Sequence, residues 1–147
     1  MKKILKLLIG IKMLYFAYGS NLNHFQMKRR CKDSKYIKKI FLKNFRLTFR
    51  SKYRAADIEK KNNSLVPGGL FDISKSDERK LDVYEDFPIL YKKMYFKYYG
   101  KKVMTYIMVK KTPFRYPTER YLNIVKRGYK DCKLDFNFLK KALNSRL

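Results

Sequence analysis

Apolar residues along this chain fall into two rhythms, and the places where one gives way to the other mark its elements. "LYFAY" at 14–18 is dense in aromatic and aliphatic side chains and stops at Gly19, which predicts a first strand and a turn. Asn21 or Asn23 then stands where a helix needs a cap, ahead of Phe25, Met27 and Cys31. "IFLKNFRLTF" at 40–49 ends in alternation, with Phe45, Leu47 and Phe49 on one side and Arg46 and Thr48 on the other, as a half-buried strand requires. Residues 51–63 are polar, close on "KKNNS" and read as a loop. "LVPGGLFDIS" follows as a strand broken at Pro67-Gly68-Gly69, where the backbone must bend or a neighbour must come close.

The second half opens with a helix signal. Ser74 is followed three residues on by Asp77, the capping-box spacing, and the helix runs through "DERKLDVYEDF" to a stop at Pro88. Two strands are predicted around 90–99 and 102–110, with a turn at Gly100-Lys101 between them. Pro113 and Pro117 bracket a loop, Thr118 caps a helix carrying Tyr121, Leu122 and Val125, and Gly128 ends it. "DFNFLKKAL" is a short closing helix. Strands and helices mix without regular alternation, so the pattern predicts α+β rather than a parallel α/β sheet. With no repeat and no linker, residues 14–147 read as one domain. Residues 1–13 read as an N-terminal extension: the apolar run Ile4–Ile11 is interrupted by Lys6, is too short to span a bilayer and lacks a small-residue cleavage site after it.

Charge changes this picture less than its size promises. The chain carries 37 Lys and Arg against 12 Asp and Glu, a net charge of +25, which invites a polyanion partner. Yet 27 of the 37 are lysines, scattered as singles and pairs, whereas arginine is the better reader of phosphates and bases. The longest lysine-free windows are 13–27, 62–74, 81–91 and 112–125, as if those segments had other work. Dispersed charge of this kind predicts a solvated surface, with no specific nucleic-acid partner and no membrane association. Cys31 and Cys132 have neither disulfide-framework nor metal-site spacing, which fits free thiols in a cytoplasmic protein.

The lysine-free windows hold the candidate chemistry. His24 is the single histidine and has no acidic neighbour in sequence, so it is expected on the surface rather than in a triad. Metal-binding, P-loop and nucleophile-elbow motifs are absent. Three of the scarce carboxylates, Asp82, Glu85 and Asp86, fall within five residues at the end of the capped helix. Glu85 has Leu81, Tyr84, Phe87 and Pro88 around it, and such neighbours can desolvate a carboxylate and raise its pKa toward the range of a general base. The plainer alternative is an acidic helix end paired with local lysines. The turn "YGSN" at 18–21 has two readings as well: a simple strand-to-helix connection, or a cradle in which backbone N–H groups, Ser20 and Asn21 hold an anionic group.

Taken together and in order, "YFAYGSNL" (15–22), "VPGGLFDIS" (66–74), "LDVYEDFPILY" (81–91) and "PTERYLNIVKRG" (117–128) resemble the γ-glutamylcyclotransferase-like family over roughly residues 14–145. The resemblance implies a small mixed β-barrel surrounded by helices, with a pocket at the barrel mouth. It implies cyclisation of a γ-glutamyl amino acid or amine to 5-oxoproline with release of the amine, needing no metal or cofactor. Carried over by motif position, Glu85 would be the general acid/base. Tyr15, Phe16, Ala17, Tyr18, Gly19, Ser20 and Asn21 would hold the substrate's polar groups, and Tyr121 would reach the pocket. The only partner implied is a small γ-glutamyl molecule, for a monomer or homodimer. Asp86 departs from the family, which often has glycine after the catalytic glutamate, and Pro67 is also unusual. Three rivals remain: another γ-glutamyl conjugate as substrate, a polyanion-binding protein whose charge is its function, and a scaffold without catalysis.

Overall fold

The computed structural model describes Lys3, Leu8 and residues 13–144. Most of the expected N-terminal extension lies outside the described residues; Leu8, which belongs to it, is buried in the core.

Strand β1 (Leu14–Ala17) is buried along its whole length, which is why every residue in it is apolar or aromatic. It pairs antiparallel with β3 (Ala55–Asp72) and parallel with β5 (Lys101–Met108). The long β2 (Lys35–Arg50) adds to β3, and β4 (Tyr91–Tyr98) adds to β5, giving a five-stranded sheet in the order β2-β3-β1-β5-β4. Helices α1 (His24–Arg30), α2 (Lys75–Tyr84), α3 (Glu119–Asp131) and α4 (Phe136–Asn144) complete an α+β fold. Among the described residues no helix is long and apolar enough to cross a membrane.

The sheet is not the closed barrel that the sequence led us to expect. The β2–β3 hairpin shifts register between Lys43 and Phe45, an irregularity of the kind that bends a strand. Asn44 and Asn63 take left-handed backbone angles there, φ 64° and 63°, as asparagine tolerates, and the Asn63 N–H bonds the Asn44 side chain. Side chains rather than a backbone ladder then span the gap to the far strands. Asp57 of β3 accepts the Met108 N–H at 2.9 Å, and the Tyr91 hydroxyl donates to the Ala56 carbonyl at 2.6 Å. Asp57 is fully buried and ion-paired with Arg50 and Lys111, so its charge is compensated where water is excluded.

Other boundaries move for identifiable reasons. The loop expected at 51–63 is a turn at 51–54 followed by strand; its polar residues pair across the exposed part of the hairpin, so their polarity marks solvent rather than irregular backbone. β3 also runs unbroken through Pro67-Gly68-Gly69, and close approach is the reason for glycine: a Cβ on Gly68 would lie 2.4 Å from both the Phe16 ring and the Ala17 carbonyl oxygen. Ser74 and Asp77 form the expected capping box. α2 ends at Tyr84, one turn before Pro88. α3, capped by Thr118, continues past Gly128 to Asp131; that glycine lets the helix press on the turn at Leu22–Asn23, where a Cβ would lie 2.5 Å from Leu22. Asn23, not Asn21, caps α1.

Candidate active site

Gly19 ends β1 and the chain winds through a single 3-10 turn, Ser20–Leu22, before α1 begins. The end of α2, the first residues of β3 and tyrosines from β4, β5 and α3 close around this turn and enclose a cavity of about 470 Å³. Tyr15, Tyr18, Gly19, Ser20, Asn21, Glu85 and Tyr121, all singled out in the sequence, line it. Phe16 and Ala17 do not. Both are buried in the core, where the Phe16 carbonyl accepts the Thr105 hydroxyl at 2.7 Å and Ala17 pairs with Gly69. Strand alternation turns Phe16 to the face opposite Tyr15, against Phe96.

Glu85 is the C-cap of α2, with its N–H on the Leu81 carbonyl at 2.8 Å. The negative end of the helix is an unfavourable place for a carboxylate. Among the described residues its side chain has no hydrogen-bond or ion-pair partner. Burial pushes its pKa up to about 8, while the Arg30 guanidinium pulls the other way. Asp82, one turn back, takes the plainer role weighed for this acidic segment. Tyr106 donates to it at 2.5 Å, and Lys93 bridges it and Glu78 at 3.1 and 2.9 Å. A helix end that pairs with a lysine and a carboxylate left open to a pocket therefore coexist within four residues.

The turn is held by tyrosine. Tyr121 Oη accepts the N–H of Ala56 at 3.0 Å and lies beside the backbone of Ser20, so one hydroxyl brings together α3, β3 and the turn. Its own proton has no acceptor among the described residues and is available to a ligand. Ser20 Oγ and Tyr84 Oη share a hydrogen bond of 3.0 Å, and Asn21 donates to Tyr15 Oη at 3.0 Å. The backbone of the turn is partly self-satisfied, since Leu22 and Asn23 donate to the carbonyls of Gly19 and Ser20. Burial, first, holds the hydroxyls of Tyr15, Tyr18, Tyr91, Tyr106 and Tyr121 protonated well above the ordinary tyrosine range. The tyrosines are donors, and Glu85 is the pocket group whose proton moves near neutral pH.

Among the described residues no lysine, arginine or histidine lines the cavity, in a chain with 37 Lys and Arg. His24, expected on the surface, is half-buried elsewhere: its ring packs on Tyr36 and Phe71, and Nε2 lies 3.5 Å from Cys132 Sγ. Burial pushes that thiol up to about 12, so the pair lacks the thiolate a nucleophile needs. Among the described residues no cluster of His, Cys, Asp and Glu is arranged to hold a metal.

The family model described as gamma-glutamyl cyclotransferase, AIG2-like, matches residues 15–128. The chain belongs to this family. Among solved structures, one described as a gamma-glutamyl cyclotransferase shares 24% identity, with a TM-score of 0.74 over 90% of this chain and 86% of that one. An uncharacterized protein from Homo sapiens shares 25%, with a TM-score of 0.73 over 90% and 86%. YkqA from Bacillus subtilis shares 21%, with a TM-score of 0.75, over 97% of this chain and 58% of that one. No curated protein matches the chain by sequence. Within the cyclotransferase family, the departure at Asp86 has a backbone reason: its φ is 51°, a left-handed angle that suits glycine and that aspartate also tolerates. Reading the sequence alone missed Tyr84, Tyr91 and Tyr106 in the pocket and Arg30 behind it. The lysine-free window 81–91 was the available signal for Tyr84 and Tyr91; Arg30 left none.

Proposed function

We propose that this protein cyclises a γ-glutamyl amino acid or γ-glutamyl amine to 5-oxoproline and releases the amine, with Glu85 as general acid/base. The observation that carries the reading is the carboxyl of Glu85, unpartnered at the pocket wall with its pKa pushed up to about 8. At pH 7 such a group is about 10% ionised in the empty site. The substrate's α-ammonium is the counter-charge the site lacks, so its arrival favours the carboxylate. Glu85 takes one proton from that ammonium, and the freed amine attacks the γ-carbonyl carbon of the same molecule. A carbon–nitrogen bond closes a five-membered ring and the carbonyl electrons move to oxygen. Tyr121 O–H, polarised by the Ala56 N–H it accepts, serves that oxyanion as a donor. Collapse of the intermediate breaks the original amide bond: Glu85 returns the proton to the departing nitrogen, then takes the remaining extra proton from the ring nitrogen and passes it to the released amine, which leaves as an ammonium.

Attack and leaving groups belong to one molecule, so holding the glutamyl chain folded supplies much of the acceleration. The cavity lined by tyrosines and the turn residues Gly19, Ser20 and Asn21 supports this role. Cys31 and Cys132, free and buried, are consistent with a reducing cytoplasm. The test is 5-oxoproline formation from a panel of γ-glutamyl amino acids and amines by wild type and Glu85→Gln. Loss of at least ~10²-fold in the variant is expected of a missing general base. Equal rates in the two proteins would overturn the assignment.

A further inference from the structure

Arg30 lies outside the pocket lining yet touches two of the groups that form its wall. Its guanidinium stacks on the Tyr84 ring at 3.5 Å from the centroid. One nitrogen donates to Asn21 Oδ1 at 2.6 Å and the other to Gln26 Oε1 at 3.1 Å. Consequences follow at each contact. Because Arg30 has no acceptor, Asn21 must present its oxygen to it and its Nδ2 to Tyr15. Tyr15 Oη then accepts, and its proton remains for the pocket. The Tyr84 ring, pinned from behind, keeps its hydroxyl on Ser20 Oγ.

From this geometry we infer that Arg30 is a positioning residue for the cyclisation: its fork and flat face set the donors of Tyr15, Asn21, Ser20 and Tyr84. Its charge also favours the ionised form of Glu85. The inference rests on the proposed cyclisation for its kinetic part only. Lysine separates the two roles, because it keeps the charge but cannot hold two acceptors in a planar fork while lying flat on a ring. Arg30→Met removes both.

The experiment labels glutamate side-chain carboxyls with ¹³C and follows Glu85 through a pH titration of the substrate-free protein, its signal assigned by loss in Glu85→Gln. The chain has glutamate at 59, 78, 85 and 119, so the spectrum is sparse. Arg30→Met is expected to move the Glu85 midpoint up by at least about half a pH unit, and Arg30→Lys by less than about 0.3. In turnover of the best γ-glutamyl substrate, both variants should raise KM by about fivefold or more, and only Arg30→Met should move the acid limb of kcat/KM to higher pH. An unmoved midpoint in Arg30→Met overturns the electrostatic role, and an unmoved KM in Arg30→Lys overturns the positioning role. Should Arg30→Met fail to fold, Arg30→Lys decides: raised KM with an unchanged midpoint supports the inference, and a fall in thermal stability alone refutes it. If wild type makes no 5-oxoproline, the cyclisation reading fails, while the titration still judges the role of Arg30 at Glu85.

Discussion

Replacing Glu85 by glutamine should stabilise the protein, and do so only at the pH where the active-site carboxyl is costly. The native pKa is about 8 and the ordinary value 4.5. Below pH 4.5 both folded and unfolded chains hold the proton, and the two proteins differ by a constant. Between 4.5 and 8 the unfolded chain has lost its proton while the native carboxyl retains it, so wild type loses stability with each unit of pH. Above pH 8 both states are ionised and the whole penalty stands. A full shift of that size corresponds to about 5 kcal/mol; Glu85 keeps part of its surface open to the cavity, and solvent screening reduces this to about 2 kcal/mol. Glutamine keeps the size of the side chain and cannot ionise. The assay is urea unfolding of wild type and Glu85→Gln at pH 5, 6, 7, 8 and 9. The expected gap widens by about 2 kcal/mol from the lowest to the highest pH, equivalent to roughly 4–8 °C in Tm. A gap that stays constant across the series would refute the claim that burial raises this carboxyl.

What the sequence disclosed and what it hid divide along a physical line. Local rules were legible: the capping box at Ser74 and Asp77, the Thr118 cap and the aromatic strand ending at Gly19 all form as their residues dictate. Close approach at Gly68 was legible as one of two possibilities, since glycine in a strand means either bend or contact. Long-range consequences were not. Polar residues 59 and 60 look alike in a loop and on an exposed hairpin, and only their pairing with 46 and 45 distinguishes the two. Closure of the sheet was hidden for a similar reason: whether the edge strands meet depends on curvature, and here single hydrogen bonds at Ala56 and Asp57 of β3 reach β4 and β5 in place of a ladder. In the pocket, Glu85 stood out because carboxylates are scarce, whereas Arg30 was one cation among 37 and its partners lie on other elements.

Two further substitutions test the scaffold and the site separately. Gly68→Ala places a methyl 2.4 Å from the Phe16 ring and the Ala17 carbonyl, backbone that cannot rotate away, so it should cost at least about 2 kcal/mol in urea unfolding; a loss below about 0.5 kcal/mol would show that β1 and β3 can separate there. Tyr121→Phe removes one oxygen with two duties. The N–H of Ala56 loses its acceptor, which should cost about 2 kcal/mol of stability, and the pocket loses a polarised donor. If that donor serves the oxyanion, the loss belongs to the transition state: kcat should fall by ~10²-fold with KM changed less than about threefold. If Tyr121 instead only braces the turn, the ground-state complex loosens with it, and the same substitution would raise KM while leaving kcat near wild type. The split between the two constants therefore decides whether the hydroxyl that ties the turn to the sheet also acts on the substrate.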